Sequence, residues 1–201
     1  MKLGPKYKIA RRLGAPIFEK TQTAKFAQSL ARKEKNVRTR QKPKSEFGLQ
    51  LIEKQKARFT YGISEKQFSK YAKTALSAGD PTQKLYTSLE LRLDNFLYRA
   101  GFAKTRAQAR QMASHGHSQI NNKRVTIPSI HLKDGDVINV REGSKKSVLF
   151  VDMAERIKSL APSSWLEVNG DKGEAKVTGR PVYMPAEHVF DLGVVLEFYS
   201  R

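Results

Sequence analysis

The chain has 201 residues and is strongly basic: 38 Lys and Arg against 19 Asp and Glu leave a formal net charge of +19. Because such a charge repels itself, the composition indicates a polyanionic partner, either nucleic acid or an anionic membrane. No run approaches the roughly 20 apolar residues of a membrane-spanning helix, and no apolar secretory signal follows the basic N-terminus. The chain has no cysteine, which excludes disulfides and thiolate metal sites and fits a reducing cytosol.

The basic residues are concentrated in two stretches. Residues 1–44 contain 14 basic and 2 acidic residues, and residues 91–141 contain 9 basic and 3 acidic ones. We therefore predict an extended basic N-terminal arm over residues 1–44, ordered on binding RNA, and a second basic surface on a folded domain. Tyr7, Phe18 and Phe26 are interleaved with the cations of the arm, and aromatic rings there are expected to stack on bases.

Helical periodicity begins after the arm. Apolar residues at helical spacing predict helices over residues 46–79, broken at Tyr61-Gly62-Ile63 and restarted by Ser64 as an N-cap. A second apolar face predicts one helix from Leu89 to Ala100, ended by Gly101.

The next helix is expected to carry the main basic surface. Thr105 with Gln108 forms a capping-box pattern that opens a helix through His115. Arg106 and Arg110 are four residues apart and should project from the same side of this helix.

The sequence after His115 is predicted to form mainly short strands and turns. We expect strands at Gln119-Ile120, Arg124–Ile127 and Val137–Arg141, a helix capped by Asp152, and a hairpin from Trp165 to Thr178. Residues 194–199 are expected to form a closing apolar strand or extended segment. The predicted class is α+β: a helical module followed by two helices packed on a small, mostly antiparallel sheet.

Several segments together resemble the S4 family of small-subunit ribosomal proteins. Leu91–Phe102, Thr105–Gln111, Asn121–Val125 and Asp136–Ile138 resemble the S4 RNA-binding domain, which many RNA-binding proteins share. The flanks resemble the ribosomal member: Leu3–Lys6, Arg11–Gly14, Gly48–Leu51, Glu53–Arg58, Tyr61-Gly62, Gln67-Phe68, Trp165–Val168 and Val195–Ser200. The similarity runs from residue 3 to the end, so we expect neither a transit peptide nor an extra domain.

The resemblance implies a domain plan and a function. The plan is a basic arm (1–44), a helical domain (45–88 plus 179–201) and an inserted RNA-binding domain with a C-terminal hairpin extension (89–178). The function is that of a structural constituent of the small subunit, monomeric in the ribosome, that binds small-subunit ribosomal RNA directly and nucleates its 5′ domain. The implied location is a cytoplasmic or organellar ribosome.

Further partners follow from the same resemblance. The family contacts ribosomal protein S5 in an interface that affects decoding accuracy, and its N-terminal region lines the mRNA entrance, where Arg40, Lys42 and Lys44 are the candidates. Residues 188–193 depart from the usual family sequence near the S5 contact. The chain also lacks the metal-binding cysteines of many relatives, so we expect no metal and no cofactor.

The predicted RNA contacts are basic residues in both parts of the chain. They are Arg92, Arg99, Lys104, Arg106, Arg110, Lys123 and Arg124 in the RNA-binding domain, and Lys6, Lys8, Arg11, Arg12, Lys54, Lys56 and Arg58 outside it.

Rival interpretations rest on isolated residues. Arg92-Leu93-Asp94 also occurs at the catalytic Asp of pseudouridine synthases, but Asp94 here falls in a helix of the RNA-binding domain, where it is expected to orient arginines or to cap. His115 and His117 supply two metal ligands where zinc sites need three or four. A non-ribosomal RNA-binding stress protein and a DNA-binding protein remain alternatives. We predict no enzymatic activity.

Overall fold

The computed structural model describes residues 3–36, 45–160, 163–170 and 172–200. The helices in these ranges are α1 (Lys6–Leu13), α2 (Ala24–Asn36), α3 (Glu46–Tyr61), α4 (Glu65–Leu76), α5 (Pro81–Glu90), α6 (Leu93–Arg99), α7 (Arg106–Ser114), α8 (Glu142–Lys145), α9 (Met153–Ser159) and α10 (Leu192–Ser200). The strands are β1 (Ser118–Ile120), β2 (Lys123–Val125), β3 (Val137–Val140), β4 (Leu166–Asn169) and β5 (Glu174–Val177). The α+β class is confirmed. None of the described helices is both long and apolar enough to cross a membrane.

The chain divides into two compact units. The first contains the described residues up to Leu85 and those from Tyr183 onwards, and the second is Tyr86–Val182. Each unit has its own buried apolar cluster. The sequence prediction sets the domain boundaries at 88/89 and 178/179.

The described part of the N-terminal region, residues 3–36, is folded, so the expectation of an extended arm is wrong there. Helix α1 ends at Gly14, whose φ of 68° is left-handed, and the chain then continues towards α2. Phe18 and Phe26 are only 4% and 3% exposed, in a cluster with Ala10 and Leu13. These rings stabilise the core and cannot stack on bases. Only Tyr7, 46% exposed, has its ring accessible.

Helices α3 and α4 confirm the predicted helical stretch and its break. Gly62 ends α3 with a φ of 64°, and the Ser64 hydroxyl accepts a hydrogen bond from the Gln67 amide at the start of α4. The predicted closing strand is wrong, because residues 192–200 form α10. Leu192, Val195 and Leu196 are buried at positions i, i+3 and i+4, and this helical spacing outweighs the strand propensity of the two valines.

The predicted helix from Leu89 to Ala100 is interrupted at Leu91 and Arg92. The Leu132 amide donates to the Leu91 carbonyl at 2.8 Å, and the Leu93 amide donates to the Ile130 carbonyl at 2.9 Å. These bonds to a distant segment replace helical ones, so α5 and α6 are separate helices. The break also turns the Arg92 side chain inward.

One antiparallel sheet lies in the second unit, with strand order β2-β1-β3-β5-β4. Asn121 and Asn122 join β1 to β2 with φ of 49° and 65°, as a two-residue hairpin turn requires. The predicted β4–β5 hairpin is also present. Buried residues of β3 and β5 share a core with residues of α6 and α7, which fixes these two helices on one face of the sheet.

We expect Phe96→Ala to destabilise the second unit strongly. Phe96 is fully buried and its ring centroid lies 5.9 Å from that of Trp165, the only tryptophan in the chain. Removing a buried phenyl ring costs about 3–5 kcal/mol of unfolding free energy. Urea unfolding followed by Trp165 fluorescence measures this loss. Ile127→Ala, at a residue 56% exposed in the same unit, is the control and should change stability by about 0.5 kcal/mol at most.

Candidate nucleic-acid interface

Helices α6 and α7 position the predicted basic surface. The Thr105 hydroxyl accepts a hydrogen bond from the Gln108 amide at 3.1 Å, which confirms the predicted N-cap of α7. Ala109, Met112 and Ala113 are buried against the core. Arg106 and Arg110 lie along the edge of this buried face, four residues apart, and are both partly exposed.

Arg92 does not belong to this surface, which corrects its sequence assignment. Its residue is 1% exposed, and its Nε and Nη2 donate to Asp94 Oδ1 at 2.9 Å and Oδ2 at 2.7 Å. This fork-shaped pair satisfies a guanidinium that would otherwise be very costly to bury. Arg92 is a structural residue, and its buried side chain cannot contact RNA directly.

Asp94 links the buried Arg92 to Arg110 of α7. Its Oδ2 accepts a bond from Arg110 Nη1 at 3.4 Å, and its Oδ1 accepts one from the Asn95 amide at 2.9 Å. Both oxygens are thus engaged and the residue is 5% exposed. The prediction that Asp94 orients arginines is confirmed.

A second buried carboxylate organises two more arginines. Glu90 is 0% exposed, and its oxygens accept bonds from Arg99 Nε at 2.8 Å and Nη2 at 2.9 Å. Asn95 Nδ2 donates to Glu90 Oε2 at 2.8 Å, while Asn95 Oδ1 accepts from Arg106 Nε at 2.8 Å. The Arg106 guanidinium also lies 4.3 Å from the centroid of the Tyr98 ring, within cation–π distance.

The arginines so held remain accessible in part. The Arg99 and Arg110 side chains are 28% and 36% exposed, so each side chain is partly accessible while its guanidinium bonds to a buried carboxylate. Sequence analysis identified the arginines but missed Glu90, Asn95 and Tyr98 as the groups that position them. The role of Glu90 could not be inferred from the sequence, because the helix break at residues 91–92 that brings it to Arg99 was not predicted.

Three other predicted contacts of the second unit are exposed. Lys104 is paired with Asp152 at 3.0 Å in a solvent-exposed bridge, and Asp152 makes no capping bond to α9, contrary to expectation. Lys123 and Arg124 project from β2. A Cβ at Gly116, where φ is 71°, would lie 2.4 Å from Arg124 Nε, so the guanidinium lies directly over this glycine turn.

The cations predicted on α3 are mostly buried, which corrects their assignment as open surface. Lys54 is 6% exposed, bonded to Glu65 at 2.9 Å and 4.3 Å from the Phe198 ring centroid. The Lys56 and Arg58 side chains are 17% and 16% exposed and are paired with Glu53 and Glu65. Burial raises the pKa of Glu65, but bonds from Tyr199 and Lys54 outweigh it and lower the pKa below its ordinary value.

The N-terminal cations differ in accessibility. Lys8, Arg11 and Arg12 are exposed on α1, whereas Lys6 is half-buried with its ammonium 5.5 Å from the Phe18 ring centroid. Arg40, Lys42 and Lys44, the candidates for the mRNA entrance, lie outside the described residues.

His115 and His117, two of the four histidines, lie close together. His117 Nδ1 lies 2.9 Å from the Ser144 hydroxyl, and the His115 and His117 ring centroids are 6.0 Å apart. Burial lowers the pKa of His117, as do the nearby positive groups. No group of three or more His, Asp or Glu side chains suited to a metal ion occurs in the described ranges.

Comparison with known proteins identifies the family. A family model described as "S4 domain" matches residues 91–138, and one described as "Ribosomal protein S4/S9 N-terminal domain" matches residues 2–93. A "Small ribosomal subunit protein uS4" of Halothermothrix orenii is 38% identical over 98% of both chains. The chain belongs to the uS4 family. Its relatives with the same printed name include proteins of a Sulfurihydrogenibium species, 41% identical over 98% of both chains, and Corynebacterium kroppenstedtii, 44% identical over 78% of this chain and 79% of that protein.

The matched domains account for both basic regions of this uS4-family chain. The S4 domain span contains α6, α7 and all the arginines held by Asp94 and Asn95. The N-terminal match spans α1 to α5, so the folded N-terminal region is part of a family domain. The relatives are ribosomal proteins by name, and the family assignment rules out the enzyme interpretation of Asp94.

We expect Asp94→Ala to destabilise the chain by about 3–5 kcal/mol, because it removes the carboxylate that pairs with the buried Arg92 charge. Asp152→Ala is the matched control: it also removes one Asp from an ion pair, but one whose side chains are 61% and 60% exposed. The control should lose at most about 1 kcal/mol. Urea unfolding measures both, and equal losses would contradict a structural role for the buried pair.

Proposed function

We propose that the chain is a structural constituent of the small ribosomal subunit that binds small-subunit ribosomal RNA directly and nucleates folding of its 5′ domain. The observation that carries this proposal is the set of arginines on α6 and α7 held by buried Glu90 and Asp94 within the S4 domain span. Family membership supports the ribosomal setting. The helical domain with an RNA-binding domain inserted at residues 89–178 is part of the same proposal.

The geometry suits recognition of RNA shape. Arg99, Arg106 and Arg110 offer fixed, partly exposed guanidinium groups that can neutralise phosphates where RNA helices converge. Lys104, Lys123 and Arg124 extend the positive charge around them. RNA helices repel one another at a junction, and a rigid cationic protein surface lowers that repulsion.

The test is filter binding of the full chain to the 5′ domain of small-subunit ribosomal RNA, against unrelated RNA of equal length. We expect saturable preference for the ribosomal fragment. For six to ten phosphate contacts, affinity should fall by roughly 10³–10⁵ between 50 and 200 mM salt, on the DNA scale. Equal affinity for both RNAs would contradict the proposal.

The arginine surface has its own test, the double variant Arg106→Gln and Arg110→Gln. Glutamine is preferable to glutamate because an acid at residue 110 would face Asp94. We expect weaker RNA binding and a salt slope reduced by roughly 1.4–1.8, the value of two lost phosphate contacts. Lys172→Gln with Lys176→Gln removes the same charge from exposed residues next to and on β5 and should leave the slope unchanged.

We also propose that the family's contact with S5 uses an acidic groove between α3 and α10. Glu46, Glu53, Asp191 and Glu197 line this groove of about 600 Å³ together with one cation, Lys56, which pairs with Glu53 and leaves the lining net negative. A phosphate about 4 Å from one such carboxylate is repelled by roughly 1–4 kcal/mol, so the groove favours a basic protein surface over RNA. Residues 188–191, part of the divergent segment, contribute to its wall.

Charge reversal tests this contact. Glu46→Lys with Glu197→Lys should weaken binding of purified S5 by at least tenfold, because like charges across an interface cost several kcal/mol. Glu142→Lys with Glu155→Lys is the control, an equal charge change at exposed residues of the second unit. Calorimetric titration measures both variants. Equal loss in both would show a general charge effect and would contradict the groove as the contact.

We extend the proposal to a role at the mRNA entrance. It rests on the family and on the basic residues Arg40, Lys42 and Lys44 in the sequence.

A further inference from the structure

A second groove on α3 has the opposite character. It lies between α1 and α3, has a volume of about 570 Å³, and has an apolar lining formed by Ile9, Leu13, Leu51, Ile52 and Phe59. This volume falls within the roughly 300–1,000 Å³ of small-ligand pockets. Displacing water from an apolar surface is favourable, so this pocket can bind a ligand that excludes water from its lining.

Two polar atoms of the pocket residues are buried without a hydrogen bond. They are Gln55 Oε1, an acceptor, and Arg58 Nε, a donor. Leaving a buried polar group unsatisfied is costly, and such groups in a native structure point to a missing partner. A donor and an acceptor from residues of one pocket together suit a nucleobase edge, which itself alternates donors and acceptors.

The Arg58 guanidinium is held in place for such a contact. Its Nη1 pairs with Glu65 at 3.4 Å, and its carbon lies 4.7 Å from the Phe59 ring centroid. These partners restrict the side chain while leaving Nε unsatisfied. Little conformational entropy is then lost when a ligand binds.

The charges around the pocket select an anionic ligand. Arg12 lines it, and the neighbouring Lys8 and Arg11 are exposed on the same helix. Its lining residues in the described ranges include two arginines and no carboxylate, whereas the groove between α3 and α10 is lined by four carboxylates. A basic protein segment would be repelled here, and a phosphate would be attracted.

We propose that this pocket captures one unstacked nucleotide of the RNA that the chain binds. The base enters the apolar lining, its edge bonds to Gln55 and Arg58, and its phosphate lies against Arg12. Single-stranded RNA is commonly recognised in this way, by bases turned out of the helix and held by apolar or aromatic side chains. The inference rests on the proposed RNA-binding function and adds a base-specific site to it.

The test is RNA binding by two pocket variants of the full chain. Leu51→Trp fills the pocket, and Gln55→Leu removes the acceptor with little change in size. Leu49→Trp is a matched control: it lies two residues away on α3, is 51% exposed, and lines the acidic groove instead. We expect both pocket variants to bind the 5′ domain RNA roughly 5- to 50-fold more weakly and the control to bind as the unaltered chain does.

Chemical probing of the RNA adds a readout that loss of stability cannot mimic. We expect one nucleotide whose base edge is protected by the unaltered chain and by Leu49→Trp but reactive with Gln55→Leu, at protein concentrations that saturate the RNA. Thermal unfolding verifies that each variant is folded. If Leu51→Trp fails to fold, Gln55→Leu alone decides.

The outcomes are distinguishable. Unchanged affinity and unchanged protection with Gln55→Leu would overturn the pocket while leaving the RNA-binding function intact. Faster proteolysis of residues 37–44 in RNA-free Leu51→Trp, with unchanged RNA affinity, would assign the pocket to the chain's own segment before α3. No preference for ribosomal RNA by the unaltered chain would overturn both proposals.

Discussion

Two buried carboxylates, Glu90 and Asp94, determine where the basic surface lies. Each holds an arginine in a fork of two hydrogen bonds, and between them they bond two further arginines, one directly and one through Asn95. Removing a carboxylate of this kind from water costs several kcal/mol, which only well-formed bonds can offset. The break between α5 and α6 is therefore essential, because it brings Glu90 and Arg92 to the same interior as Asp94 and Asn95.

Helix α3 separates two surfaces of opposite charge in the first unit. Glu46, Leu49, Gln50 and Glu53 follow one helical face towards α10, while Gly48, Leu51, Ile52 and Gln55 follow another towards α1. Both sets have the i, i+3, i+4, i+7 spacing of a helix face. An overall charge of +19 thus conceals a local acidic groove that repels RNA. Under the two proposals made above for these grooves, one helix serves a protein contact on one face and an RNA contact on another, without competition between them.

Local sequence signals predicted the parts of the fold that local chemistry decides. The N-cap at Thr105, the Asn121-Asn122 turn and the pairing of Arg106 with Arg110 on one helix side all follow from residues a few positions apart. The helix prediction that was wrong depended on distant contacts. Hydrogen bonds with residues 130 and 132 break the helix at Arg92. For the N-terminal region the error was different. Charge was weighed above the apolar positions of Phe18 and Phe26, which pack into a core.

The same distinction explains why the candidate site could be predicted only in part. A sequence shows which residues are cationic, but whether a cation is accessible depends on its partner. Lys54 and Arg92 carry the same charge as Arg106, yet carboxylate and aromatic partners hold them away from the surface. For Arg99, Arg106 and Arg110 the partners have a different effect, because these residues remain partly exposed. The two carboxylates cancel part of the local positive charge, which weakens attraction to phosphate. However, each of these arginines is already positioned before RNA binds. The entropic cost of ordering its side chain on binding, about 0.5–1.5 kcal/mol, is therefore reduced. Long-range attraction is supplied by the remaining cations of the chain, so the fixed arginines are best suited to setting the geometry of the bound RNA.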